Sequence, residues 1–237
     1  MTSIPVRSPA IPQPRAAAVP RGWLARHWFF VFGLVYGLWA WLPFLAPVFM
    51  HAGWNTAGRV VYFIYSFFCH QLPERSFFLF GPQLMIPLAT FRARGVNTAD
   101  MLALRQFVGD PALGWKVAWS DRMISFYGSI WIFALIWHTF RRSARPLPWW
   151  LFALLLLPMV VDGGSHMVSD LAGLGQGFRD TNAWLAALTA HAFPSSFYAG
   201  DALGSFNSLM RLLTGVLAGF ALAWCAFPYM EASFAEG

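Results

Sequence analysis

The sequence predicts an all-α integral membrane protein of four transmembrane helices, with an added helical hairpin that re-enters the outer leaflet or lies on it. Three observations carry this. Hydrophobic residues make up 58% of the 237 and charged residues only 11%, against roughly 25% charged in a soluble domain. Four apolar stretches, residues 28–50, 123–140, 149–167 and 209–230, have the length, about 17 to 25 residues, that crosses a hydrocarbon core. Arginines gather beside the ends of these stretches, where they orient a chain in a bilayer.

Residues 1–27 read as a disordered, basic cytoplasmic tail, rich in proline, with Arg7, Arg15, Arg21 and Arg26 and no acid. The first span exceeds the roughly 7 to 15 apolar residues of a cleaved signal, so it should stay in place as an anchor. Between spans two and three, "RRSARPLP" is basic, whereas residues 162–201 hold Asp162, Asp170, Asp180 and Asp201 against Arg179. Excess arginine marks cytoplasmic loops, so both termini are expected in the cytoplasm, residues 231–237 forming a second short tail, and the protein in the plasma membrane. The net charge of +6, from fifteen arginines and one lysine, is thereby explained without nucleic acid. Two cysteines, Cys69 and Cys225, define no disulfide framework.

Residues 60–91 contain "YSFFCHQLPERSFFLFGP". A fifth full span here would place "RRSAR" outside, and Pro73, Pro82 and Pro87 break any continuous helix. The stretch therefore reads as a hairpin with its polar cluster at the turn. Residues 92–121 and 168–205 form the external connections, the first with a short helix over 101–108 capped by Asn97 or Thr98, the second with one over 182–193. This arrangement brings Cys69, His70 and Arg75 of the hairpin to the level of Arg122 and Tyr127, Asp162 and His166, and Asn207 and Arg211. Ionisable groups at span ends are costly and commonly functional.

"FFCHQLPERSFFLFG" resembles the CHQ-x-PERSFF signature of a family of bacterial and archaeal multi-pass membrane proteins described only as a domain of unknown function. "SDRMISFYG" resembles that family's C-x-R-C-x-G-I-Y motif through Arg122 and Tyr127, with Ser120 and Met123 in place of its cysteines. "VDGGSHM" resembles D-G-x-x-Q through Asp162 and Gly163, with His166 at the glutamine. "NSLMRLLTG" resembles N-x-x-R-x-x-T-G through Arg211, Thr214 and Gly215, the asparagine one place off at Asn207. The resemblance implies that Cys69, His70, Gln71, Arg75, Arg122, Asp162 and Arg211 form one constellation.

Its chemistry is open to several readings. Arg75, Arg122 and Arg211 suit an anionic lipid head group or small anion, since guanidinium pairs bidentately with phosphate. The binding set expected is Cys69, His70, Gln71, Arg75, Arg122, Tyr127, Asp162, His166 and Arg211. Asp162, His166 and His70 are the candidate acid and base of a lipid-phosphate hydrolase or transferase. No cofactor is expected. Zinc, held by Cys69 or His70 with His166 and Asp162, is the weaker metal alternative, and His138 and His191 are lone histidines with no mate for haem. Arginines paired with acids as structural ties, Arg75 with Glu74 or Asp162 and Arg122 with Asp121, are the plain alternative. Two G-x-x-x-G patterns, Gly33/Gly37 and Gly215/Gly219, permit close helix packing, either within the bundle or against a homo-oligomer or partner subunit.

Overall fold

The computed structural model describes residues 22–141 and 143–236. The reading of the N-terminal tail, with Arg7, Arg15 and Arg21, and of Arg142 lies outside the described residues. Helix α1 (Trp23–Trp41) continues through a 3-10 turn at Pro43 into α2 (Leu45–His51). Helices α3 (Asn55–Tyr65), α4 (Leu88–Ala93) and α5 (Met101–Gln106) interleave with strands β1 (Ser76–Leu79), β2 (Gly109–Asp110) and β3 (Gly114–Ser120). Then come α6 (Asp121–Phe140), α7 (Trp149–Asp170), the short α8 (Phe178–Thr181), α9 (Ala183–Leu188) and α10 (Ser195–Tyr198), and the long α11 (Phe206–Glu236). The α1–α2 unit, α6, α7 and α11 are each long and apolar enough to cross a membrane.

Each of these four begins or ends one to five residues beyond its apolar run, where residues such as Arg26, Asp121, Asp170 and Asn207 continue the helix. Helix α6 starts directly from β3, so Asp121 and Arg122 occupy its first turn. Helix α11 packs along α6 more extensively than any other pair of elements, with α7 on α11 and α1 on α6. The glycines set the α6–α11 approach. A Cβ on Gly215 would overlap Ser125 Oγ, and one on Gly219 would overlap Ser129 Oγ, while those hydroxyls reach the carbonyls of Arg211 and Gly215 across the interface at 3.3 and 3.4 Å. Gly37 lies against the Trp131 indole, and Gly33 faces open space.

A small sheet, which the sequence did not foretell, sits at one end of this bundle. Its order is β1–β3–β2, antiparallel throughout, with Ser76 opposite Ser120 and Gly109 opposite Trp115. The first arm of the expected helical hairpin is α3. The second arm departs from that reading: Pro73 opens a 3-10 turn over Pro73–Arg75 and the aromatic "SFFL" then pairs with β3 as a strand. Phe and β-branched residues favour a pleated, half-buried surface, and here Phe78 enters a core with Leu72, Ile86, Phe91, Leu104 and Leu113. Helix α5 is capped by Asp100, whose Oδ1 accepts from Leu102 N and Ala103 N, rather than by Asn97 or Thr98. The helix expected over 182–193 is the six-residue α9. Cys69 and Cys225 are both free thiols.

Candidate functional site

The hairpin turn is built by its own polar side chains. Gln71 takes a left-handed φ of 53°, and its Nε2 donates to Tyr62 O at 2.9 Å, tying the turn back to α3. Cys69 Sγ accepts from two backbone amides, Gln71 N and Ser120 N, both at 3.4 Å. The thiol thus joins the turn to the junction of β3 and α6. Lys116 is fully buried and donates from Nζ to Gln71 O at 2.8 Å and Arg105 O at 2.6 Å. Loss of hydration pushes its ammonium down to about 7.

With the turn so fixed, Arg75 points into the bundle end. Its Nη1 and Nη2 donate to the two oxygens of Asp170 at 2.7 Å each, and its Nε to Asp201 Oδ2 at 3.1 Å. Arg211 Nε reaches both Asp121 oxygens at 2.8 and 2.9 Å, and its Nη1 bonds Asp201 Oδ1. Asp162 is held between Arg122, at 2.9 Å, and Arg179. Four guanidinium groups and four carboxylates thus make a lattice of two adjoining groups, Arg75 and Arg211 with Asp121, Asp170 and Asp201, and Arg122 and Arg179 with Asp162, which together balance to zero. Burial alone would raise Asp201, but Arg75 and Arg211 hold its carboxyl well below the usual range. Of the ties the sequence suggests, Arg75 meets Glu74 only at 4.0 Å and hydrogen-bonds Asp170 and Asp201, while Arg122 pairs with Asp162 rather than Asp121.

A cavity of about 500 Å³ opens beside this lattice. His70, Arg75, Arg122, His166, Asp170 and Arg211 line its polar side. His70 Nδ1 accepts from Leu72 N at 3.1 Å, which leaves the proton on Nε2. Loss of hydration and the charges of Arg75, Arg211 and Arg122 push the His70 imidazole down to about 3, although it keeps an exposed face. His166 Nε2 stands 3.2 Å from Arg179 Nη2. Since a guanidinium only donates, Nε2 accepts and the His166 proton is on Nδ1. That Nδ1, together with Arg122 Nη1, is buried and has no hydrogen-bond partner among the described residues. The polar wall thus offers unused donors, while Asp170 has both oxygens occupied.

The opposite wall is apolar, with Met101, Met123, Met159 and Met167 among its residues. Methionine is the most adaptable apolar side chain. Helix α7 gives the cavity an exposed apolar rim: the only buried residues of the helix are the polar Asp162, His166 and Ser169, and Met167 and Leu171 at the rim are 69% and 84% exposed.

Of the expected site residues, His70, Arg75, Arg122, His166 and Arg211 meet at this cavity and Asp162 lies behind it. Cys69 and Gln71 shape the turn. Tyr127 stands apart, its ring in an aromatic group with Trp39 and Trp119 at 4.5 and 4.9 Å. The zinc grouping is not assembled: among the described residues no cluster of three or more His, Cys, Asp or Glu is placed to hold a metal. Sequence reasoning missed the lattice partners Arg179, Asp170 and Asp201, and set Asp121 against Arg122 where it pairs with Arg211. The i, i+4, i+8 spacing of Asp162, His166 and Asp170 on one helix face was the available signal for Asp170.

Residues 112–225 match a family described as "Predicted membrane protein (DUF2085)", a little under half of the chain. The "CHQLPER" stretch precedes the matched residues. A stretch of 66 residues is 35% identical to the uncharacterized protein MJ1492 of Methanocaldococcus jannaschii, covering 26% of this chain and 40% of that protein. The chain thus spans well under two thirds of that relative. No solved structure matches it. The resemblance to an uncharacterised membrane-protein family is shown, and it carries no activity.

Proposed function

We propose that this multi-pass membrane protein binds a singly charged phosphate group of a lipid head group, or an equivalent small anion, in the cavity beside α7. The observation that carries the reading is the pair of buried donors without partners, Arg122 Nη1 and His166 Nδ1, lining one cavity. A buried donor left unmade costs about 1 to 3 kcal/mol, so an acceptor belongs there. Because Arg122 and Arg179 share the single carboxylate of Asp162 and so keep one net positive charge, a phosphodiester suits the site better than a dianionic phosphomonoester. The methionine wall and the opening toward lipid accommodate an acyl chain.

Orientation supports a lipid of the outer leaflet. Arg26, Arg141 and Glu231 meet at the end opposite the cavity, and Arg145 follows in the same connection. The positive-inside rule places that end, with both termini, in the cytoplasm and the cavity at the external face of the plasma membrane. Binding without chemistry is the favoured reading, because Asp162 lies between two arginines, Oδ1 hydrogen-bonded to Arg179 and Oδ2 ion-paired with Arg122 though not hydrogen-bonded, and His166 has its Nε2 engaged by Arg179.

Native mass spectrometry of the protein extracted with its membrane lipid tests this. The wild type should retain anionic phospholipid, and Arg122→Gln or His166→Ala should weaken retention about tenfold or more, as expected for a lost charge-assisted bond of ~1.5 to 3 kcal/mol. Titration with inorganic phosphate separates a free-anion site from a head-group site. Equal lipid retention in wild type and both variants, with no response to phosphate, would sink the proposal.

A further inference from the structure

A second cavity, of about 360 Å³, lies on the other side of Arg75. Arg75 lines both spaces, so the lattice is the wall between them. On this side stands Glu74, 2% exposed, with neither carboxylate oxygen hydrogen-bonded to any described residue. Arg75 Nε comes only to 4.0 Å, and no ion pair joins Glu74 to Lys116 among the described residues. Each of the lattice aspartates is closely engaged by a guanidinium; Glu74 meets only Arg75, as an ion pair at 4.0 Å that carries no hydrogen bond. An ionised carboxylate out of water without a partner is strongly disfavoured, and native proteins seldom leave one so.

Two further carboxylates line the same space. Asp201 is consumed by Arg75 and Arg211. Asp180 bonds Gly177 N through Oδ2, at 2.8 Å, and leaves Oδ1 without a described partner. The acids are not placed to coordinate one metal ion among the described residues. The rest of the wall is largely apolar, including Pro87, Leu88, Leu174 and Ala199, and the volume equals on the order of twelve waters. Carboxylate oxygens beside apolar surface suit a compact cation with an apolar body better than a bare ion.

We propose that this cavity is a separate binding site for a small organic ammonium compound, whose nitrogen pairs with Glu74 and Asp180. The site does not share its ligand with the lipid-facing cavity and does not depend on the reading given to it. Arg92, exposed at the mouth with its Nε on Thr98 Oγ1, disfavours polycations and so limits the ligand to one or few positive charges.

The full chain in detergent micelles, titrated with ethylammonium chloride or with sodium chloride at equal ionic strength, tests this through the thermal unfolding midpoint. The expected result is a saturable rise with ethylammonium that sodium does not give, and an apparent affinity at least about tenfold weaker in Glu74→Gln and in Asp180→Asn, one charge-assisted bond being lost in each. Without ligand, Glu74→Gln should fold with a midpoint equal to or above wild type at pH 8, since no native hydrogen bond of the carboxylate is removed. Three results would overturn the proposal: no difference between ethylammonium and sodium, an undiminished response in both variants, or a Glu74→Gln midpoint well below wild type at pH 8, which would reveal a structural partner for the carboxylate.

Discussion

Among single residues, the sharpest contrast is between Asp201 and Glu74, two buried acids on either side of one arginine. Asp201 takes Arg75 and Arg211. Replacing it by asparagine leaves two buried guanidinium groups short of charge, a change of the kind that costs about 3 to 5 kcal/mol; chemical unfolding in micelles should show a loss of that size. Glu74 behaves oppositely. Burial first of all, against the opposing pull of Arg75, raises its carboxyl to about 7. A folded pKa above the unfolded one means that the native state holds the proton longer, so the contribution is fully present below about pH 4.5 and is lost as pH rises through 7. Stability of wild type relative to Glu74→Gln should therefore fall between those limits, and a parallel pH series of the two proteins would show no such trend if Glu74 were paired. The arginines of the cavity were legible because basic residues at span ends away from the cytoplasm have no orienting role. Their partners were not, since Arg75 and Asp201 are joined across 126 positions and no local pattern signals such a pairing.

At the level of elements, α6 and α11 meet through interleaved glycine and serine toward the cavity end and through Phe133–Phe220 and Trp137–Phe227 pairs farther along. Gly219→Val should separate the helices and destabilise by roughly 1 to 3 kcal/mol, the usual range for overpacking, with partial recovery when Ser129→Gly is added. Gly33→Ala is the control: its Cβ meets nothing within 4 Å, so thermal unfolding should show no loss. Equal losses at the two positions would refute this account of the interface. The long apolar helices were legible from composition, because a run of that length has few other uses. The sheet was not: β1 has only four residues, and it becomes a strand because β3, some forty residues on, supplies a partner edge. Helix α7 stands between these cases. Its length was plain, while its inverted face, polar inward and apolar outward, appears only once the membrane is taken as the solvent.

For the whole molecule, the lattice fastens the ends of three spans, the hairpin turn and the segment carrying α8 to α10 at one level. A membrane-impermeant maleimide should label Leu188→Cys, which is 78% exposed at the cavity end, from outside intact cells. Ser143→Cys, in the connection at the opposite end, should react only after permeabilisation. The reverse pattern would invert the orientation and with it the leaflet from which a lipid enters.

Arg75 also holds both ends of the α8–α10 segment, gripping Asp170 at the close of α7 and Asp201 just before α11. Within that segment Ala190 and His191 are exposed and both left-handed, with φ of 48° and 56°, the natural place for a protease to cut. A chain severed there would still be one object: α11 stays clasped along α6, and the arginine bridges the gap. The protein is in that sense already two pieces, and it should assemble from halves synthesised separately.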